Sequence, residues 1–329
     1  MKYFLLSIVV FISANCFAQF APQAGLAGST AIYKLSNDFI AWGDSCTITR
    51  GWVNITDTTL GKISNGVEAD AKYMADNSVI SLGDGGEAIY YFSNPIVNGT
   101  GFDFAIFENG FRNPLDSNLA YIELATVEVS EDGITYYNFA PECNFDSSIQ
   151  IAGTGEYMDC RKINNLAGKY VSTYGTPFEL DELSMQFGLD VNNIHFVKIN
   201  DVIGTINDSL CNRDFWGNKI NDPYPTDFQT GGFDLDAIGI IHQKYPTGMN
   251  ETNVTSTIIF PNPTSNSIRI TTSNTIAIVT IYSFDGKIVQ RNTSLKNNLI
   301  ELEQLSKGNY YLQLQFENGS FFQQTITKW

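Results

Sequence analysis

The sequence predicts an all-β protein built as two sandwiches in tandem, and three observations predict it. Apolar and polar residues alternate in short runs, the period-2 pattern of half-buried strands, whereas the i, i+3, i+4 spacing of amphipathic helices is scarce. The runs are separated by turn signals such as Asp132-Gly133, Asp285-Gly286 and Asn318-Gly319, dipeptides that accept the positive φ of tight hairpins. The length of 329 residues has room for about two domains.

Met1–Ala18 reads as a signal peptide. Lys2 supplies the positive start, Tyr3–Ile12 is apolar, and Cys16-Phe17-Ala18 offers small residues before a cut at Gln19. The apolar run is shorter than the ~20 residues of a membrane span, and no later segment reaches that length, so no transmembrane segment is predicted. Cys16 hints at lipidation, but Asn15 before it is wrong for a lipid-modification box.

Residues 19–246 form the first domain. Its strands are expected at Ala88–Phe92, Phe102–Phe107, Ile122–Ser130, Thr135–Phe139, His195–Asp201 and Leu235–His242. Glu68–Ala75 and Leu180–Phe187 are expected as short helices. Residues 247–257 read as a linker, because Met249–Ser256 is polar, Asn/Thr-rich and aperiodic. The second domain, 258–329, alternates again at Ser267–Thr272, Ala277–Ser283, Lys287–Gln290, Leu299–Leu302, Asn309–Phe316 and Phe321–Thr327, with Ile258–Phe260 as a possible seventh strand. That count fits a small immunoglobulin-like sandwich.

Charge separates the two parts. The chain carries 19 basic and 35 acidic residues, a net charge of −16. From Thr257 on there are six basic and four acidic residues, a balance of +2, which leaves 13 basic and 31 acidic before it, or −18. The acidic part repels nucleic acid and anionic membranes and suits calcium or neutral partners. After signal cleavage four cysteines remain: Cys46, Cys143, Cys160 and Cys211. Export favours pairing, and four cysteines allow three connectivities. Cys143 with Cys160 and Cys46 with Cys211 is the first expectation, buried free thiols the other.

Four motifs in order carry a resemblance in the second domain. They are Phe260-Pro261-Asn262-Pro263, Ile281-Tyr282-Ser283-Phe284-Asp285-Gly286-Lys287, Leu305-Ser306-Lys307-Gly308-Asn309-Tyr310-Tyr311-Leu312, and Asn318-Gly319 followed by a strand to Lys328. Residues 258–329 thereby resemble the C-terminal sorting domain of the type IX secretion system of Bacteroidetes-type bacteria. The resemblance implies recognition by the outer-membrane translocon and removal by a sortase-like peptidase at or near 249–256. The passenger is then attached to surface lipopolysaccharide or released. Pro261, Asn262, Pro263, Gly286, Gly308 and Tyr310 are the sorting-motif residues; the two prolines lack N–H donors and suit an edge strand.

In the first domain three segments stand out. Ser81-Leu82-Gly83-Asp84-Gly85-Gly86-Glu87 is Gly-rich, but without Gly-Lys-Ser/Thr it is no P-loop, and it leads into a strand. Gly101–Phe111 is an aromatic strand ending in an acid-amide turn, with Asp103 and Glu108 as candidate metal ligands or turn caps. Between Asp201 and Asp236 lie seven acids against two bases, including the loop Asp214–Thr226. Calcium takes six to eight oxygens from carboxylates, amides and carbonyls, and this loop offers all three without EF-hand spacing. Asp214, Asp222 and Asp234 join Asp103 and Glu108 as candidate calcium ligands; a solvated acidic loop is the bland alternative.

The pieces Gly83–Gly86, Asp103–Phe111, Val127–Gly133, Leu166–Tyr170, Tyr174–Phe178 and Gly232–Gly239 resemble a family of exported bacterial surface proteins, mostly uncharacterised. That resemblance implies a jelly-roll sandwich, galactose-binding-like, and for some members an association with outer-membrane uptake, including that of corrinoids. It assigns no residue roles.

Catalytic signals are sparse. The two histidines, His195 and His242, both fall in expected strands, and no Gly-x-Ser-x-Gly or His-Glu-x-x-His motif is present. Abundant carboxylates keep a glycoside-acting hydrolase open as the rival. Aromatics make up 13% of the chain, and most fill cores. Trp42, Trp52, Trp216 and Tyr224 are candidates for a stacking platform, with Trp216 and Tyr224 as the ligand-binding residues. The reading is therefore a secreted, non-catalytic protein that binds a glycan or an uptake cargo; an adhesive surface protein is the third option.

Overall fold

In the first domain, residues far apart in sequence pair into two sheets, and the apolar half of each strand turns toward the other sheet. The computed structural model describes residues 19–244, 257–284, 286–292, 295, 298–316 and 321–329. The expected signal peptide, nearly all of the linker, Asp285 and the Asn318-Gly319 turn lie outside the described residues. The chain divides into two compact units, Met1–Pro246 and Thr247–Trp329. It is all-β, with helical structure limited to short 3₁₀ turns among the described residues.

Seven strands carry the first unit: β1 (Cys46–Thr49), β2 (Glu87–Ile96), β3 (Phe104–Glu108), β4 (Ala125–Ser130), β5 (Tyr174–Phe178), β6 (Ile194–Asp201) and β7 (Asp234–Ile240). One sheet runs β4-β6-β2-β1, with Tyr137–Asn138 added beside β4; the other runs β5-β3-β7, extended by Ile32–Tyr33, Ala41–Trp42 and Ile80–Ser81. All the pairings are antiparallel. Tyr90 and Phe92 of β2, Val127 and Val129 of β4 and Val197 and Ile199 of β6 meet Phe104 and Ile106 of β3, Phe178 of β5 and Ile238 and Ile240 of β7 in one buried cluster. A fully buried side chain of this size contributes about 1.5–3 kcal/mol.

The continuous apolar run in β3 has its own cause. Its odd residues, Ala105 and Phe107, are buried on the outer face of the sheet beneath Ile32, Phe39 and Trp42. The Trp42 ring lies 5.3 Å from that of Phe107. A strand covered on both faces loses the alternation of a half-buried one. Trp42 therefore fills a core, and Trp52 is capped by the Lys62 ammonium 3.9 Å from its ring centre; the four-residue platform does not assemble.

The two expected helices are single 3₁₀ turns, Glu68–Ala71 and Leu180–Leu183. Only Ala71 of the first and Leu180 and Leu183 of the second are buried. An apolar stripe that short does not offset the cost of a longer helix. A second apolar cluster, including Ile122, Leu124, Cys143, Cys160, Tyr170 and Ile220, lies under the loops.

The cysteine pairing needs correction. Cys46, Cys143, Cys160 and Cys211 are all free. Cys46 belongs to the main core, while Cys143 and Cys160 share the second cluster as separate apolar side chains. Burial pushes the thiols of Cys143 and Cys160 up to about 11, so they stay protonated and unreactive.

The second unit holds β8 (Ile258–Phe260), β9 (Ser267–Thr271), β10 (Ile276–Ser283), β11 (Ile288–Asn292), β12 (Leu299–Glu301), β13 (Gly308–Phe316) and β14 (Phe321–Lys328). They form a β8-β9-β12 sheet and a β11-β10-β13-β14 sheet. Ile268, Ile270, Val279, Ile281, Ile300, Leu312, Leu314 and Ile326 fill the space between.

Candidate functional site

Antiparallel pairing brings the ends of several strands of the first unit to one end of its sandwich. β3 finishes at Glu108 and β6 at Asp201, while β7 begins at Asp234 and β4 at Ala125. Register places Glu108 beside Leu235, Asp201 beside Ala125, and Asp234 beside Ser81. Glu123 lies just before β4, Asp84 in the Gly83–Gly86 turn leading to β2, and Asp222 in the loop before β7. All six carboxyls are buried, none more than 5% exposed.

Most of them accept hydrogen bonds. Asp84 accepts from Ile55 N–H at 2.8 Å, and Glu108 from Gly110 N–H at 2.7 Å. Asp201 accepts from Phe233 N–H at 2.8 Å and Gly85 N–H at 3.2 Å, so the glycine turn spends a backbone donor on a buried acid. Asp234 accepts from the Ser81 hydroxyl and from the Asn109 amide at 2.8 Å. Asp222 accepts from Leu124 N–H at 3.1 Å through one oxygen only. Two buried carboxyl oxygens have no protein donor, Glu123 Oε1 and Asp222 Oδ1. None of the ion pairs among the described residues involves these six acids.

Uncompensated burial raises their proton affinity. Desolvation holds Glu123 well above the usual carboxylate range, and the charges of Asp234, Glu108, Asp222 and Asp201 push the same way. Burial does the same to Glu108, Asp201 and Asp222. Asp84 and Asp234 rise to about 6, again through burial first.

Glu123 and Asp234 reach the surface of an open cleft of about 300 Å³. Phe111, Tyr121 and Phe228 form its aromatic walls; Asn109, Thr154 and Thr230 add polar groups. The walls follow from a hairpin, in which Phe111–Arg112 pairs with Leu119–Tyr121 and sets Phe111 opposite Tyr121. Directly opposed residues share a face of the pair, and these two rings stack 5.1 Å apart with 17° between planes. The Tyr121 hydroxyl donates to Gly153 C=O at 2.9 Å, which fixes its ring. Phe111 is 53% exposed. Gly110 enables the turn, since an added Cβ would sit 2.8 Å from Glu108 Oε2 and 2.9 Å from Tyr121 C=O.

The sequence-predicted ligands divide. Glu108, Asp222 and Asp234 belong to the six buried acids that make up the acid floor, of which Asp234 and Glu123 line the cleft, whereas Asp103 and Asp214 are backbone anchors. Asp103 accepts from Gly99 N–H and Leu180 N–H, each at 2.7 Å, and stands 2.8 Å from His242 Nδ1. Asp214 accepts from Trp216 N–H, Asn218 N–H and Cys143 N–H. His195 Nδ1 lies 2.7 Å from Phe92 C=O, within the sheet. Among the described residues no three His, Cys, Asp or Glu groups converge closely enough to hold a metal by side chains alone. Trp216 is exposed and not part of the cleft; its indole N–H donates to Glu142 at 3.0 Å and its ring meets Phe215 edge-on. Tyr224 is buried, with its hydroxyl shared between Asn54 and Thr56, so it presents no open stacking face. Glu123, Phe111 and Tyr121 escaped sequence reasoning. The available signal was a single acid within the apolar run Tyr121-Ile122-Glu123-Leu124-Ala125.

In the second unit the opening motif is tied to the closing strand. Asn262 donates through its amide to Thr325 C=O at 2.8 Å and accepts from Thr327 N–H at 2.9 Å. Tyr310 is buried and donates to Ser306 C=O at 2.7 Å. Pro261 and Pro263 are exposed beside Asn262. Residues 258–328 match the family model described as secretion system C-terminal sorting domain. They are a type IX sorting domain. The sorting domain engages the secretion machinery, and the protein it belongs to is exported to the cell surface, where it is attached or released. Among the described residues no helix is long and apolar enough to cross a membrane. No curated protein matches the chain.

Proposed function

We propose that residues 19–246 form a non-catalytic binding module, delivered outside the cell, that takes a neutral polyhydroxylated ligand such as a glycan in the Phe111–Tyr121 cleft. The stacked aromatic pair on the wall, above carboxyl and amide oxygens, supports this reading most. An aromatic face packs against the apolar C–H side of a sugar ring, and Glu123 and the Asn109 amide oxygen supply acceptors for its hydroxyls. Non-catalytic binding is favoured over hydrolysis because the acids lie together on one buried floor. A glycosidase sets two carboxyls on opposite sides of the scissile bond, and here both Asp234 oxygens are already engaged. Delivery includes removal of the sorting domain by a sortase-like peptidase and attachment to lipopolysaccharide.

Calorimetric titration of the purified chain with a panel of glycans and with a corrinoid tests the reading. One glycan class should bind, and Phe111→Ala should weaken it about tenfold, equivalent to ~1.4 kcal/mol. Preferential corrinoid binding would replace the ligand class. Glycan turnover abolished by Glu123→Gln would overturn the non-catalytic reading.

A further inference from the structure

The acid floor poses a problem that its hydrogen bonds do not solve. Six carboxyls are buried at one end of the sandwich without a basic partner among the described ion pairs. Two of their oxygens, Glu123 Oε1 and Asp222 Oδ1, have no hydrogen-bond donor among the described residues. Buried polar atoms in folded proteins are nearly always partnered, and an orphan of this kind points to a water or an ion. A lone carboxylate removed from water is strongly disfavoured unless a counter-charge or a proton accompanies it.

We propose that the floor of the cleft is a calcium site, with Glu123 Oε1 and Asp222 Oδ1 as its carboxylate donors and Glu108 and Asp234 supplying the surrounding negative charge. The donors are oxygens throughout, and neither histidine nor cysteine lies among them, which suits a hard cation rather than zinc or copper. Calcium accepts six to eight oxygens in irregular arrangements, including carbonyls and waters, whereas magnesium demands a near-regular octahedron. Among the described residues no three His, Cys, Asp or Glu side chains converge on one point. The remaining oxygens therefore come from the backbone, from water entering the cleft and, on the proposed function, from ligand hydroxyls. The −18 balance of the residues before Thr257 draws cations toward this unit. The site meets the proposed ligand cleft at Glu123, while Asp222 lies behind the cleft lining; binding of the ion alone does not depend on the ligand.

Calorimetric titration of the purified, EDTA-treated full chain with calcium chloride at pH 7.5, with no glycan present, tests the site. One ion should bind per chain. The melting temperature of the first unit should rise by roughly 5–10 °C at calcium about a hundredfold above Kd. Glu123→Gln and Asp222→Asn should each weaken binding at least tenfold, yet melt higher than the wild type in EDTA, because each removes uncompensated buried charge. Asp208→Asn, at an exposed acid paired with Arg213 and Lys219, should leave calcium binding unchanged. Terbium should show tyrosine-sensitised emission that calcium displaces and Tyr121→Phe diminishes. The terbium and wild-type titrations decide the matter if a floor variant fails to fold. Absence of binding heat and of any calcium shift in melting would overturn the site, as would calcium binding unaffected by both floor variants. A glycan that binds equally in EDTA would leave the ligand reading standing without the ion.

Discussion

The two units solve the same packing problem with different side chains. The sorting unit fills its interior with Ile, Val and Leu, plus Tyr310 and Phe316, and its buried polar residues among those described are two threonines, Thr264 and Thr280. The larger unit buries Asp84, Asp103, Glu108, Glu123, Asp201, Asp214, Asp222, Asp234 and Asp236, and Lys169 besides. A domain that only has to fold and be recognised has no use for buried charge, which costs several kcal/mol per unpaired group. Where a fold retains such groups, each is either an anchor with its donors in place, as Asp103 is, or part of a site still short of a partner, as Glu123 is. The contrast teaches where in the chain to look for binding chemistry.

The largest test of the contrast is all-or-none. Deletion of residues 258–329 should abolish appearance at the cell surface and leave the chain in the periplasm, read by surface proteolysis and fractionation. Surface display of the truncated chain would remove the division of labour altogether.

Next in size come substitutions in the two kinds of interior. Asp103→Ala should cost roughly 2–4 kcal/mol, because it strands the buried Leu180 N–H and also removes the partner of the Gly99 N–H and of the half-buried His242. Leu312→Ala in the sorting unit should cost about 3 kcal/mol through lost burial and a cavity. Urea unfolding of the full chain measures both. A negligible cost for Asp103→Ala would mean that buried charge in the larger unit is not structural anchoring there.

The smallest effect is a pH dependence. Lys169 is buried, its ammonium donating to Ile163 C=O at 2.8 Å, and burial lowers it from 10.5 to about 8. Above pH 8 the folded protein gives up a proton that the unfolded chain still holds. Stability from this group therefore rises with pH between about 8 and 10.5 and is lost as pH falls. The buried thiols oppose it above pH 9, so the clean comparison is wild type against Lys169→Met between pH 8 and 9. The wild type should gain about 1 kcal/mol on the variant across that interval. Parallel curves would contradict a desolvated lysine.

How far the sequence reached depended on the range of the interactions involved. Strands β2, β6, β10, β13 and β14 were legible because period-2 alternation and flanking turns are local. The sorting motif was legible too: Asn262 reaches its partners in β14 only after folding, but its Pro-Asn-Pro setting stands in the chain itself. The expected helices shrank to single turns because propensity without a buried stripe does not sustain a helix. The free state of the four cysteines is not legible in the sequence, because compartment and spacing do not show which thiols share a cluster without bonding.

The sequence by itself determined the all-β class, the two-part division marked by charge, and the sorting module with the destination it confers. Only the tertiary structure decided which acids matter. Asp84, Glu108, Glu123, Asp201, Asp222 and Asp234 come from six separate segments, and no spacing rule links them. Antiparallel register carries them to one end of the sandwich, and burial there, with no ion pair to a basic side chain among the described residues, turns scattered carboxylates into a floor that demands a counter-charge.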